Sequence, residues 1–140
     1  MPIDIHLHPM VVHFPIALFI TAAVIECLSL ILRKEDWHRI AVFLYIVATL
    51  ITPVVVLTGL REEDELHLNH PVLSLHKQFA LLTLWGSWLS LPVLGLLAKK
   101  KPAMFRWFFF VCAMVIVILV SIAAYNGGRM VYEYGVGVES

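Results

Sequence analysis

Four long apolar stretches, separated by short polar connections, dominate the hydrophobicity pattern of the chain. Each is longer than the roughly 20 residues that a helix needs to cross the hydrocarbon of a bilayer. A helix satisfies its backbone hydrogen bonds internally, whereas lipid offers an irregular segment no partners. The pattern predicts an all-α, integral membrane four-helix bundle formed by residues 1–140 as one domain, with a tail at 126–140 and spans at about 9–32, 37–60, 72–98 and 102–125.

The composition supports lipid rather than water as the solvent of this chain. Apolar residues make up 61% of it, charged residues make up only 14%, and the mean hydropathy is +0.89. An ordinary soluble domain carries more charge and fewer apolar side chains. Acidic and basic residues are equally numerous, which gives no indication of a nucleic-acid partner. No removable signal peptide is predicted, because the first residues lack a basic segment and the first apolar stretch is too long.

Basic residues are concentrated at two of the three connections, and this orients the predicted bundle. The second connection, at residues 61–65, is mainly acidic. By the positive-inside rule the first and third connections are predicted to be cytoplasmic, so both termini lie on the non-cytoplasmic side. The basic residues at those two connections are Arg33, Lys34, Arg39, Lys99, Lys100, Lys101 and Arg106.

Histidines cluster where the first and third apolar stretches begin, and the two stretches open alike. His8-Pro9 is followed by His13, and His70-Pro71 is followed by His76. Proline suits the first turn of a helix, where its missing N–H costs nothing. The similarity suggests two duplicated hairpins related by an axis along the membrane normal. In such a bundle the second histidine of each half lies at a similar depth on the non-cytoplasmic side.

These histidines are candidate metal ligands, because neutral imidazole is the commonest metal ligand in proteins. At about 100° per residue, the two histidines of each segment are roughly 140° and 120° apart around the helix, so they do not share a face. One ligand from each helix is therefore favoured, namely His13 with His76, as the axial ligands of a haem iron. His8 and His70 are expected at the N-cap or rim, although a shallower pair formed by them stays open.

A small metal site is the alternative arrangement of the same side chains. All four histidines together would supply four nitrogens for copper, zinc or iron. Isolated histidines elsewhere, at positions 6, 38 and 67, are expected to bond a carbonyl or a lipid headgroup. Glu26, deep in the first span, is either a proton-relay residue or a group near the cytoplasmic edge.

The end of the chain adds a second signal on the histidine side. Gly127 and Gly128 permit a sharp turn over the mouth of the bundle. Arg129 would then pair with an acid or with a haem propionate, for which its forked donors are suited. Arg129 is therefore included among the candidate cofactor-binding residues.

The two ends of the chain carry a family resemblance. Its motifs are His8-Pro9 with residues 12–18, the His70-Pro71 opening with His76, and a glycine-rich stretch at 127–138. Together they resemble the small bacterial four-helix membrane-protein family called domain of unknown function 2231, over essentially the whole chain. The resemblance implies a bacterial inner membrane location and a redox setting, because members sometimes accompany cytochromes.

Two classes of function follow from these observations. The first is a b-type cytochrome-like protein that binds haem b near the outer face and passes electrons between the quinone pool or a partner subunit and an external acceptor. The second is a protein that binds or transports a transition metal ion, with a structural subunit of a respiratory complex as a further option. An independent enzyme has little support, because no nucleophile-and-base set or phosphate loop is present. The expected partners are the bilayer, quinone, other redox subunits and a second copy of the chain.

Overall fold

The chain folds into helices that pack side by side. The structure, a computed structural model, describes residues 7–66 and 71–135. Four of its helical segments are long and apolar enough to cross a membrane, which confirms the all-α, four-helix prediction. The segments are α1 (Leu7–Val11), α2 (His13–Leu32), α3 (Glu35–Leu66), α4 (Pro71–Lys100) and α5 (Pro102–Tyr132).

The first span is divided into α1 and α2 by an interruption at Val12. Proline has no N–H, so Pro15 cannot donate to the carbonyl of Val11, and the regular bonding pattern fails there. The Val12 N–H still bonds the His8 carbonyl at 3.0 Å. As a result, α1 continues roughly along α2 but forms a separate five-residue segment, and it carries His8.

Tight connections force the helices into antiparallel hairpins. Arg33 takes a left-handed conformation (φ 54°), and Lys34 donates to the Ser29 carbonyl at 3.1 Å, which ends α2. This is the hydrogen bonding that commonly closes a helix C-terminus. Lys101 alone separates α4 from α5, and Pro102 begins the next helix. The connections at 33–34 and around 99–101 therefore lie at the same end of the molecule, here called the basic end.

The long helices form a closed ring of neighbours. α2 packs against α3 and α5, and α4 packs against the same two helices. α2 and α4 therefore run in the same direction at opposite corners of the bundle. The other end of the molecule, where His8 and His76 lie, is here called the histidine end.

Small residues and three aromatic rings form the core between the two ends. The rings of Phe19 and Phe109 each meet the Tyr45 ring edge to face, with centroids 5.4 Å apart. The Tyr45 hydroxyl bonds that of Ser90 on α4 at 2.9 Å. Buried alanines allow the backbones to approach closely around these rings, as small residues do in membrane bundles. They are Ala22, Ala23, Ala41, Ala48 and Ala113.

The end of the chain differs from the turn predicted there. α5 continues through Gly127 and Gly128 to Tyr132, so the expected tail from residue 126 is helical over its first part. Each glycine costs only about 1 kcal/mol within a helix. A long apolar helix packed on two neighbours tolerates that loss.

We expect Phe109→Ala to destabilise the bundle by about 3–5 kcal/mol, because it opens a cavity beside Tyr45 in a closely packed core. Phe109 is fully buried, whereas Phe43 is 63% exposed on the outside of α3. The measurement is reversible unfolding in mixed micelles. Phe43→Ala is the matched control, and an equal loss in both variants would contradict the assignment of the core.

Candidate functional site

Two imidazoles from different spans face each other at the histidine end. His8 lies on α1 and His76 lies on α4. Their ring centroids are 6.1 Å apart, and the ring planes are nearly perpendicular, at 84°. Two histidines that converge from opposite corners of a bundle are the arrangement that holds metals and haem in helical proteins.

A backbone carbonyl of a neighbouring helix orients each ring. Nδ1 of His8 lies 3.0 Å from the Val55 carbonyl oxygen on α3, and Nδ1 of His76 lies 2.8 Å from the Ala123 carbonyl oxygen on α5. A carbonyl oxygen can only accept, so Nδ1 carries the proton in both rings. The Nε2 atoms are then unprotonated and free to act as ligands. Metal-binding histidines commonly have this hydrogen bond to a carbonyl.

Each ring also packs against a glycine of the helix that orients it. A Cβ atom at Gly59 would lie 2.9 Å from Cε1 of His8, and one at Gly127 would lie 3.2 Å from Nδ1 of His76. Contacts this short are closer than carbon and nitrogen atoms normally pack. Glycine is therefore required beside both rings if they are to keep these positions.

The two halves of the site repeat the same local sequence, which sequence reasoning missed. Val55 lies four residues before Gly59, and Ala123 lies four residues before Gly127. The residues around the glycines read Thr-Gly-Leu-Arg at 58–61 and Asn-Gly-Gly-Arg at 126–129. This shared motif in the second helix of each hairpin was the available signal. In this motif Val55 corresponds to Ala123, so the rings that bond their carbonyls, His8 and His76, correspond to each other. The His-Pro openings instead align His13 with His76.

The predicted pair of His13 and His76 is corrected by the structure. His13 is exposed, and its Nδ1 bonds the Pro9 carbonyl of its own segment at 3.0 Å. The face of the first span that points inward carries Val12, Pro15 and Phe19. His8 lies one turn before Val12 on that face, and His13 does not. His8, expected at the N-cap or rim, therefore faces the interior beside His76. His70, like His6 and His67, lies outside the described residues.

A cavity of about 140 Å³ adjoins the two rings. Its lining is mostly apolar. Besides the two histidines and Met130, the exceptions are Thr52, Thr83, Glu62, Glu63 and Lys77. An apolar cavity of about this volume accommodates a molecule the size of benzene. The site can therefore hold a small ligand or an ion without rearrangement.

Acidic side chains tie the segments together at the rim of this cavity. The backbone N–H of His8 donates to Glu62 Oε1 at 3.1 Å, which attaches α1 to α3. Lys77 Nζ lies 2.7 Å from Glu63 Oε2, which connects α4 to α3. Within residues 7–66 and 71–135, no three His, Cys, Asp or Glu side chains are close enough to hold a metal ion by themselves.

Arg129 lies at the histidine end but does not line the cavity. Its Nε donates to Glu133 Oε2 at 2.9 Å, one turn further along α5, and a terminal nitrogen donates to the Tyr134 hydroxyl at 3.3 Å. The guanidinium also lies over the rings of Tyr125 and Tyr134. Glu133 is therefore an acid partner of Arg129.

A second polar cluster lies at the basic end and includes two residues singled out in the sequence. Glu26 is fully buried, and its Oε2 lies 2.7 Å from Nδ1 of His38. The expected lipid-headgroup or carbonyl partner for His38 is therefore replaced by a carboxylate. Glu26 and His38 are 12 positions apart and lie on two different helices. The local sequence around neither residue therefore indicated the pair.

Comparison with known proteins gives a family and nothing more specific. No curated protein and no solved structure matches the chain. A family model described as a predicted membrane protein (DUF2231) matches residues 4–140. Because this match covers nearly the whole chain and agrees with the four apolar helices, the protein belongs to the DUF2231 family of predicted membrane proteins.

Proposed function

We propose that this protein is a membrane electron-transfer protein whose redox centre is held by His8 and His76. The observation that carries the proposal is the matched pair of imidazoles, each fixed by a carbonyl and a glycine of a different helix. Such support orients a ligand and strengthens its free nitrogen toward a metal.

Haem b is the first candidate for the centre. His8 and His76 would hold the iron from two different spans, and their ring centroids are 6.1 Å apart. The apolar lining suits a porphyrin, whose own nitrogens supply the remaining ligands. When bound, haem would supply one-electron transfer.

The volume of the site sets a condition on haem binding. A porphyrin is larger than the cavity of about 140 Å³, so α1 must move outward to admit it. Such a movement would open the bonds that His8 makes to the Val55 carbonyl and to Glu62. A propionate contact from Arg129 would in addition require the bond between Arg129 and Glu133 to open.

A single copper ion is the second candidate, favoured by Met130. Its thioether shares the cavity with both imidazoles, and soft sulfur ligands select Cu(I). An ion would fit without movement of α1. In this case the protein would bind or transfer a metal ion rather than haem.

The same proposal includes location and partners. The concentration of basic residues at one end supports a bacterial inner membrane location in which the basic end is cytoplasmic and the histidine end faces the periplasm or exterior. Electrons would then pass between the quinone pool or a partner subunit and an acceptor on the histidine side. Outward-facing apolar residues on every long helix are compatible with lipid, a redox subunit or a second copy of the chain.

We expect His8→Ala and His76→Ala each to abolish the Soret band of protein purified from haem-replete cells, because either change removes an axial ligand. The measurement is the reduced and oxidised optical spectrum with a pyridine haemochrome assay. His13→Ala is the matched control and keeps the spectrum. If the wild type is colourless and contains about one copper per chain, and Met130→Leu loses that copper, the centre is copper rather than haem. A wild type with neither would overturn the proposal.

Gly127→Val should weaken binding of the centre about 10–100-fold, the usual cost of disturbing a group that supports a metal ligand. The new side chain would push His76 away from the Ala123 carbonyl. Gly128→Val is a matched control, since a Cβ at Gly128 meets nothing within 4 Å. Titration of the apoprotein with haem or Cu(I) measures both affinities, and equal losses would contradict the role of Gly127.

Orientation can be tested separately with single cysteines in a chain whose two native cysteines are replaced. Tyr132→Cys, at a position 90% exposed at the histidine end, should react with an impermeant maleimide in intact spheroplasts. Lys100→Cys at the basic end should react only after permeabilisation, because the positive-inside rule keeps that end cytoplasmic. The reverse pattern of labelling would invert the proposed orientation.

A further inference from the structure

The buried carboxylate of Glu26 fixes the orientation of His38 at the basic end. Glu26 is fully buried, and Nδ1 of His38 donates to its Oε2 across 2.7 Å. The edges of Phe105 and Phe109 pack against the imidazole, with ring centroids 5.5 and 5.6 Å away. The ring is therefore held by a hydrogen bond on one edge and by aromatic contacts beside it.

This orientation leaves the second nitrogen of His38 as an acceptor. Because Nδ1 donates its proton to a carboxylate, Nε2 of the neutral ring is unprotonated. Nε2 has no hydrogen-bond partner among residues 7–66 and 71–135, and it is not fully buried. It therefore faces the open space next to His38.

That space is an open cleft of about 700 Å³ between α3 and the connection from α4 to α5, here called the basic-end cleft. Apolar side chains of Val42, Ala98 and Pro102 form one part of its lining, and the aromatic rings of Phe105 and Trp107 form another. Its volume lies in the usual range of about 300–1,000 Å³ for ligand sites. The cleft lies beside the basic connections, where the ends of the spans reach the membrane surface.

Arg106 is anchored so that it provides a fixed donor surface at the cleft. One terminal nitrogen donates to the carbonyl and the hydroxyl of Ser29, at 3.1 and 2.8 Å, and the other donates to Glu35 at 3.2 Å. Arg106 Nε lies 3.9 Å from Glu26 Oε1. Both of these atoms are buried without a hydrogen-bond partner among the described residues.

The guanidinium nearest to His38 is already paired, and this bears on the class of ligand. Of the charged residues that line the cleft, Arg106 is paired with Glu35, and Arg39 is the remaining cation. A phosphate headgroup would gain little from a surface whose guanidinium is already neutralised. A neutral, polar, flat headgroup on an apolar tail fits the charge, the aromatic rings and the apolar wall.

We infer that the basic-end cleft binds the headgroup of a lipid-soluble hydroquinone, with one hydroxyl donating to Nε2 of His38 and the ring lying against Phe105 or Trp107. The reduced form binds more tightly than the quinone, because Nε2 accepts hydrogen bonds and a quinone carbonyl cannot donate one. Glu26 acts as a positioning residue that holds His38 in the accepting tautomer. This positioning role gives Glu26 a function that does not depend on relaying protons through the membrane.

This inference gives a location to the quinone partner of the proposed function, but it does not depend on a haem or copper centre. The two sites lie at opposite ends of the bundle. His8→Ala and His76→Ala should remove the redox centre and leave hydroquinone binding unchanged. The two proposals therefore fail independently.

The test measures binding of decylubiquinol to the full chain in phosphatidylcholine nanodiscs, from the ligand-induced rise of the thermal unfolding midpoint. His38→Asn places an amide nitrogen near the position of Nδ1, so the bond to Glu26 is kept while Nε2 is lost. We expect its affinity to fall about tenfold or more, which corresponds to one lost hydrogen bond of about 1.4 kcal/mol. His13→Asn, the same substitution at the other end, should bind like the wild type.

Two further arms keep the inference falsifiable if His38→Asn unfolds. Ala103→Trp adds a large ring to the lining of the cleft and leaves Glu26 and His38 in the chain, and it should weaken binding. Decylubiquinone should bind the wild type more weakly than the quinol. If both cleft variants bind the quinol as tightly as the wild type does, the assignment is overturned. If only phosphatidylglycerol in the nanodisc raises the unfolding midpoint, the cleft is a lipid site instead.

Discussion

Hydrogen bonding to backbone carbonyls across helices is the interaction that the histidine end depends on. In an apolar bundle, an imidazole N–H without a partner is costly, and the nearest acceptors are helix carbonyls with a second lone pair. Val55 and Ala123 provide them, and the glycines one turn later leave room for the rings. One requirement, satisfying a donor in lipid, thus fixes the position of the ring, its tautomer and the direction of its free nitrogen.

The same requirement is met differently at the basic end, and this separates the two sites chemically. His38 is held by a carboxyl group rather than by a backbone carbonyl, and Arg106 links Glu26 to Glu35. The core of small residues and aromatic rings between the two ends carries hydroxyls that bond within or between helices, such as Thr49 to the Tyr45 carbonyl. About 27 Å of helix separates His8 from Glu26 at 1.5 Å per residue. A ligand at one end therefore cannot touch a ligand at the other.

Particular residues show how far sequence reasoning reached. The four apolar helices followed from hydropathy, and His76 and Glu26 were singled out by the cost of ionisable groups in lipid. The matching His-Pro openings favoured His13, but the structure does not bring His13 and His76 together. The packed bundle shows that the inward face of the first span carries Val12, Pro15 and Phe19, and His8 lies on that face. The helical path through Gly127 and Gly128 was missed, because packing on neighbouring helices outweighs a small local preference.

The sequence by itself determined the solvent, the number of membrane-crossing helices and the placement of the histidines at the start of two of them. Those properties depend on local composition, which a linear pattern records. Only the tertiary structure decided that His8 meets His76, that a glycine lies under each ring, and that Glu26 pairs with His38. Each of these contacts joins different helices, and its geometry depends on helix rotation and packing, which neither segment encodes alone.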